Sequence, residues 1–521
     1  MDRLSQEIYD MIASFIERRD DQSNVPFNER KRLPSYLPPL ASLSREWQHA
    51  IERRTFHNIT LCSTELKDFQ AICTGHRRTW ITQLHYNVVL PTYDDKACAQ
   101  FEREHEKQAN NEAFTQAIED IFHVLRSWED VSTQGSIQFR LGEIFSPMDR
   151  NHRNPDILQE DIINKEIGKR RDLFQYRYAH SLIYLLRPDN LPSLCRISRF
   201  EVGPRADRKI DLRAVVDIAA KFSNLQEIYW DLDDNEKRYP ALRRASRHGF
   251  AEALQAHTFP FLKTATMIFY HESPLSQKGR LANMISPPDQ SYDPFSAALR
   301  NLSYGLTSLN LKGVIDLPLF WPLNGLEKIS TSSPSWPSLQ KIIVTFDITS
   351  PSGHWYFKAS DSNADSLIPE ASEPSTEYYT SAQTAEHENP SAPDTFFESL
   401  DDSITSDLPL NVFRTVPNQR TLPPLLEAFG KAAQHMPSLQ EASLCAVVDS
   451  DNGGFEWAMS YFAPGRSTYL DEFADSDAQN RRLYFEVKDW RPEEPILAAW
   501  RNIGREKWGD KLVERFLEIE Y

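Results

Sequence analysis

Residues able to do chemistry are few and scattered along this sequence. Cys73-Thr-Gly-His76 sets a thiol and an imidazole at metal-ligand spacing, but no second pair follows and CxxC does not occur; zinc needs four such donors. HExxH and GxSxG are absent, so neither a zinc protease helix nor a nucleophile elbow is encoded. Phosphate-cradling loops need clustered glycines, because only then can backbone N–H groups approach the anion. Here glycine is scarce (17) and proline abundant (33), with no GxGxxG and no GxxxxGK[ST]. The paired Gly453-Gly454 follows Asp449-Ser450-Asp451-Asn452 and reads as a turn between a strand and a helix; a calcium loop wants more carboxylates at alternate positions. Asn58-Ile-Thr60 and Asn301-Leu-Ser303 match the glycosylation acceptor pattern, which carries meaning only behind a secretory signal. Arg30-Lys31-Arg32 reads as a solvated loop. Ser399-Leu-Asp401-Asp402 offers a hydroxyl ahead of carboxylates, the arrangement of a phosphorylation acceptor. Trp80, Trp230, Trp321, Trp336 and Trp355 lie in or near strand-like segments. Most are expected in the core, and any on an open strand face would be a binding hot spot. No catalytic constellation, cofactor or metal emerges, which turns attention to binding.

The elements that would position such contacts follow from composition and pattern. The chain has 521 residues with 40% hydrophobic and 26% charged positions, enough for a large core. Its net charge of −17 argues against gripping nucleic acid or an anionic membrane as its main task. No run approaches the ~18 apolar residues of a membrane span, the opening Met1-Asp2-Arg3-Leu4 carries no apolar signal core, and five cysteines stand far apart. A soluble protein of a reducing compartment, cytoplasmic or nuclear, is the expectation. The charge is local. From Asp361 to Asp407 there are twelve Asp or Glu and no Lys or Arg, so −17 − (−12) leaves −5 for the rest. That segment, about 359–410, is expected to be a disordered insert, since it has too little apolar surface to offset its ordering entropy.

A weak repeat runs through the remainder: a Leu, an apolar residue three later, another two after that. Ile81/Leu84/Tyr86, Leu225/Ile228/Trp230, Leu262/Ala265/Met267, Leu306/Leu309/Leu311, Leu339/Ile342/Val344 and Leu439/Ala442/Leu444 fit it, with a partial copy at Leu194/Ile197. Pro-Ser precedes Leu194, Leu339 and Leu439. Proline ends one segment and the alternation then makes a short one-sided strand. Amphipathic helices are expected over 111–129, over 212–222 with Asp211 as N-cap, and over 421–436 with Pro423-Pro424 in the first turn. Helix then strand at such intervals suggests an irregular α/β solenoid. The step from Leu339 to Leu439, less the acidic insert, is close to one repeat, which puts the insert between consecutive strands.

The first 60 residues are the most specific. Leu4, Ile8, Met11, Ile12 and Phe15 form one helical stripe, and Leu37, Leu40, Leu43, Trp47 and Ile51 a second; Arg54 to Leu61 alternates like a strand. Two short amphipathic helices cannot make a core alone. The segment resembles the F-box: Leu4-Ser5-Gln6-Glu7-Ile8 matches the family's opening, though Ser5 stands where proline is common, and Leu40-Ala-Ser-Leu43-Ser-Arg45-Glu-Trp47 matches its closing motif. The remainder is similar to F-box-like proteins of filamentous fungi with degenerate repeats, including the ending around Asp489-Trp490-Arg491-Pro492.

The resemblance implies an F-box-like helical domain (1–60), a leucine-rich-repeat-like α/β domain (61–358), the acidic insert (359–410), and a continuation and cap of the repeats (411–521). It implies docking on a Skp-type adaptor and, through it, a cullin ubiquitin ligase. Leu4, Ile8, Ile12, Leu40, Leu43 and Trp47 would face the adaptor or support that face. The chain would be a non-enzymatic substrate receptor, with a non-catalytic repeat scaffold outside ubiquitylation as the alternative. A protein substrate is expected on the strand face or its loop rim, within about 81–487.

Overall fold

The structure is a computed structural model describing residues 5–21, 37–94, 97, 102–129, 136–149, 177–178, 181–203, 208–234, 240–271, 277, 281–287, 290–323, 334–359, 413–449, 454–466 and 477–517. Its frame is one large, mostly parallel sheet with helices. Strands β1 (Asn58–Cys62), β2 (Gln83–Val89), β3 (Ile137–Phe145), β4 (Ile197–Val202), β5 (Glu227–Asp233), β6 (Thr264–Tyr270), β7 (Ser308–Gly313) and β8 (Lys341–Phe346) lie side by side in chain order, each parallel to the last. A small antiparallel pair follows, β9 (Phe357–Ala359) with β10 (Arg414–Pro417). The large sheet resumes with β11 (Glu441–Val448) parallel to β8; β12 (Phe455–Phe462) and β13 (Arg481–Glu486) then run antiparallel, and β14 (Leu512–Phe516) closes the edge parallel to β13. The order is not that of a closed barrel.

The Leu-rich motif explains the strands. In β5 and β6 burial alternates strictly, with Ile228, Trp230 and Leu232, then Ala265, Met267 and Phe269, on the inward side. Each anchoring Leu (225, 262, 306, 339, 439) sits buried just before its strand. The one-sided alternation therefore makes a sheet whose apolar face must be covered. Helices cover it. In chain order they are α1 (Gln6–Asp21), α2 (Leu37–Leu40), α3 (Arg45–Thr55), α4 (Leu66–Ile72), α5 (Arg77–Trp80), α6 (Glu104–Arg126), α7 (Leu212–Ala219), α8 (Pro240–Ala256), α9 (Pro294–Ser303), α10 (Leu422–Gln434), α11 (Glu494–Arg501) and α12 (Arg505–Trp508). Aromatic rings fill the seam between layers. Phe200 stands 6.4 Å from Trp230, Trp230 6.4 Å from Phe250, and Phe250 4.9 Å from Phe295. Phe429 of α10 stacks at 5.1 Å on Trp500 of α11, and Gly430 permits that approach, since a Cβ there would stand 2.9 Å from the indole.

Several sequence expectations change. The helices over 111–129 and 421–436 appear as α6 and α10, but α8 and α9 lacked a reading. The single stripe from Leu37 to Ile51 is two helices, because Ser44 turns extended and caps α3 by accepting from Trp47 N–H (3.3 Å). The strand read from Arg54 begins only at Asn58, after α3 has run through Thr55. Asp211 holds the N-cap position of α7 without a capping bond; its carboxylate accepts from Ser246 Oγ at 2.7 Å instead. The stretch read as a turn at Gly453-Gly454 is flanked by the antiparallel strands β11 and β12, not by a strand and a helix; residues 450–453 lie outside the described residues. Residues 360–412, nearly all of the acidic segment, lie outside the described residues. Its flanks are Ala359 and Arg414, cross-strand partners in the β9–β10 pair.

Candidate functional site

Two surfaces merit a functional reading. The first is the N-terminal helical unit. Across its inner side, Gln6 of α1 donates to the Glu46 carbonyl (3.0 Å), Arg54 of α3 donates to the Asp10 carbonyl (3.0 Å), and Arg53 pairs with the Asp10 carboxylate (3.4 Å). Tyr9 meets Trp47 edge-on at 5.2 Å, and Ala13, Ala50 and Ile51 are buried. The unit is tied to the sheet. Glu52 of α3 accepts two bonds from Arg77 (3.0 and 2.6 Å), and this pairing holds its carboxyl below the usual range against the opposing effect of burial. Arg77 also lies over Phe56, 5.1 Å from the ring centroid, at the start of the continuous core.

The resemblance-derived residues distribute unevenly over this unit. Leu43 is 64% exposed and Ile12 36%, and Met11, beside Ile12, is 52% exposed. Ile8, Leu40 and Trp47 are half-buried, Trp47 against Tyr9. Leu4 lies outside the described residues. Helix–helix contact thus leaves large apolar side chains in water on α1 and on the turn between α2 and α3, an unfavourable state that a partner would relieve.

The second surface is the strand face turned away from the helices, and it is polar. One cross-strand row runs His85, Arg140, Glu201, Tyr229, Thr266, Asn310, Ile343. In the neighbouring row Arg199 pairs with Glu227 (3.0 Å) and with Glu201 on its own strand, and Lys341 pairs with Glu441 (2.9 Å). Arg140 passes over Gly203, where a Cβ would stand 3.2 Å from its guanidinium. Burial, with the charge of Arg140, lowers the His85 imidazole below its ordinary value. None of the five singled-out tryptophans is on this face. Trp230, Trp336 and Trp355 are buried, and Trp80 and Trp321 pack against the core. The face presents Tyr229 and Tyr270 instead, alternating with buried Trp230 and Phe269. The polar alternate positions of β5 were the signal that could have found them.

Polar clusters line the C-terminal ends of the parallel strands, where α/β sheets commonly hold their ligands. Asp234, after β5, takes Arg243 in two bonds (3.0 and 2.9 Å) and Arg247 in a third (2.7 Å). Burial alone would raise its pKa, but the two guanidiniums hold it down to about 2. A cavity of about 440 Å³ beyond β2 is lined by Tyr93, Arg103, Glu106 and Arg177. Its charges face each other, with Arg177 paired to Glu106 (2.9 Å) and stacked on Tyr93 (4.2 Å). A smaller cavity of about 160 Å³ lies beyond β6, β7, β8 and β11 and is lined by His271, Lys312, Asp347 and Asp449. There Asp347 accepts from His271 Nδ1 (2.9 Å), Thr349 N–H (3.0 Å) and Thr349 Oγ1 (2.8 Å). His271 and Asp347 directly follow β6 and β8, and they meet only because β7 alone separates those strands. No local motif announces them. Compared with protein-family models, curated proteins and solved structures, the chain finds no match.

Proposed function

We propose that this chain is the substrate-recognition subunit of a Skp–cullin–F-box type ubiquitin ligase. Its N-terminal helices act as an F-box-like domain that docks on a Skp-type adaptor through Ile12 and Leu43, with Ile8, Leu40 and Trp47 supporting that face and Leu4 belonging to the same motif. The sheet and its helices act as an irregular leucine-rich-repeat-like solenoid that holds a protein substrate on its polar strand face. The reading is carried by the exposure of Leu43 and Ile12 on the helical unit that bears the Leu40-to-Trp47 motif. The in-order parallel strands, with β5, β6, β7, β8 and β11 each behind a buried Leu, support the repeat reading. Such a protein needs no active site: it works by proximity, raising the effective concentration of a bound target beside the ligase's transfer machinery.

Affinity capture with the full tagged chain tests it. Adaptor and cullin are expected together, and both are expected to be lost with Ile12→Glu plus Leu43→Glu. Capture of adaptor without cullin would favour a scaffold outside ubiquitylation, and capture of neither would overturn the reading.

A further inference from the structure

We propose that the helical unit is a body of its own, hinged at Phe56 and His57 and latched to the sheet by the Glu52–Arg77 ion pair. The latch sets how Ile12 and Leu43 are aimed relative to the open strand face. This goes beyond the ligase reading and holds whatever either surface binds.

Two observations separate the bodies. The unit's buried residues Ala13, Ala50 and Ile51 stand apart from the continuous core, which begins at Phe56. No shared apolar seam therefore interlocks those residues with the layers beyond. The attachment runs through α3, on which α1 and α2 pack and which packs in turn on α5 and β1. Beyond α3 the chain is fixed at once, because the His57 carbonyl accepts from the N–H groups of Thr82 and Gln83 (3.1 Å each). The joint thus lies between the last turn of α3 and the first residue of β1.

The latch closes across that joint. Arg77 donates to Glu52 as a fork, Nε to Oε2 (3.0 Å) and Nη2 to Oε1 (2.6 Å), and a fork fixes angle as well as distance. Its Nη1 donates to the Ile72 carbonyl at the end of α4 (3.0 Å), so one guanidinium spans α3 and α4. The bond to Arg77 holds the Glu52 carboxyl below its usual range, against the opposing effect of burial. The Cys73-Thr-Gly-His76 motif finds its role here. Gly75 takes φ +56°, a left-handed conformation that glycine adopts without cost, in the turn that delivers His76 and Arg77 to α3. His76 and His49 of α3 both meet Trp80, at 4.5 and 4.9 Å. Guanidinium, carboxylate, imidazole and indole meet across the joint, and such contacts part in water at less cost than an interdigitated apolar core.

Single-molecule energy transfer on the full chain tests the hinge. Fluorophores are placed by unnatural amino acids at Arg45 and Asn310, both exposed. Arg45 begins α3, about 16 Å along the helix from Phe56, so a pivot there moves the label. One narrow distance peak is expected for the native chain. Arg77→Gln should widen that peak by about twofold, the mark of a released hinge. The same pair exchanged, Glu52→Arg with Arg77→Glu, re-forms the bridge and should restore the narrow peak, which a failure to fold would not allow. The proposal falls if Arg77→Gln keeps the native width, or if the exchanged pair stays as broad as Arg77→Gln.

Discussion

The N-terminal helical unit and the sheet treat their apolar side chains in opposite ways. In the sheet and the helices that cover it, Trp230, Phe250 and Phe295 are at most 1% exposed, and polar residues occupy the open strand face. In the helical unit, Met11, Ile12 and Leu43 stand in water while Asp10, Gln6 and Arg54 hold the helices together by hydrogen bonds. A layer of helices on a sheet has room to cover an apolar face completely. Three short helices do not, so their leftover apolar surface is available to a partner. The difference teaches that apolar residues stabilise one region and would supply binding energy in the other.

The widest separation between the regions should come from adaptor binding. Burying each large apolar side chain contributes about 1.5–3 kcal/mol, so Ile12→Glu with Leu43→Glu is expected to cost about 100-fold or more in adaptor affinity. The melting temperature should move little for Leu43→Glu, whose side chain is 64% exposed, and more for Ile12→Glu, whose side chain is 36% exposed. Titration calorimetry and thermal unfolding on one preparation would show both effects, and a large drop in melting temperature would mean that the unit packs these residues after all.

The sheet should answer in reverse. Trp230→Ala is expected to cost about 3–5 kcal/mol of stability. Asp234→Ala should cost a similar amount, because the buried Arg243 and Arg247 would lose the carboxylate they share, leaving Arg247 with Asp293 at 3.4 Å. Denaturant unfolding measures both; a loss under 1 kcal/mol in either would show that the layer relaxes around the change.

A finer division lies among the sheet's own carboxylates. Burial, opposed by the Ser246 bond, raises Asp211 to about 6, and burial likewise raises Asp316 to about 6. A carboxyl whose folded pKa exceeds its ordinary 3.8 binds its proton more tightly when folded. Its stabilisation is complete below pH 4 and is lost as pH rises through 6. Asp234, held down to about 2, behaves oppositely and loses its contribution as pH falls toward 2. Stability should therefore rise from pH 7 to pH 5. Asp211→Asn, which keeps an acceptor for Ser246, should stabilise the chain at pH 7 by on the order of 1–3 kcal/mol and flatten that rise. An unchanged pH profile in the variant would assign the effect elsewhere.

The smallest effect is expected from the acidic segment. Ala359 and Arg414 already face each other in β9–β10, and Arg414 is buried against Trp355 (4.9 Å) with its backbone N–H bonded to Gln277 (2.6 Å). Replacing residues 360–412 with a short Gly/Ser linker only shortens a closed loop, and each halving of loop length changes closure by about 0.6 kcal/mol. Melting temperature and adaptor capture should both stay near those of the full chain.

What the sequence determined by itself is what periodicity encodes. A Leu followed by apolar residues three and five later places five buried anchors before five parallel strands, because alternation decides locally which side of a strand is apolar. The twelve acidic residues without a cation marked one segment as different from its neighbours by composition alone. The stripe from Leu37 to Ile51 was legible as helical, but its break at Ser44 depends on a cap whose geometry a hydrophobic pattern does not carry. Tertiary structure alone decided which aromatic residues reach the open face, since Trp230 and Tyr229 are neighbours in sequence and only the position of the helical layer tells inside from outside. It alone also brought His271, Asp347 and Asp449 to one cavity, from the ends of β6, β8 and β11. Parallel pairing sets strand ends side by side whatever their separation in sequence, and that juxtaposition is a long-range property no local spacing encodes.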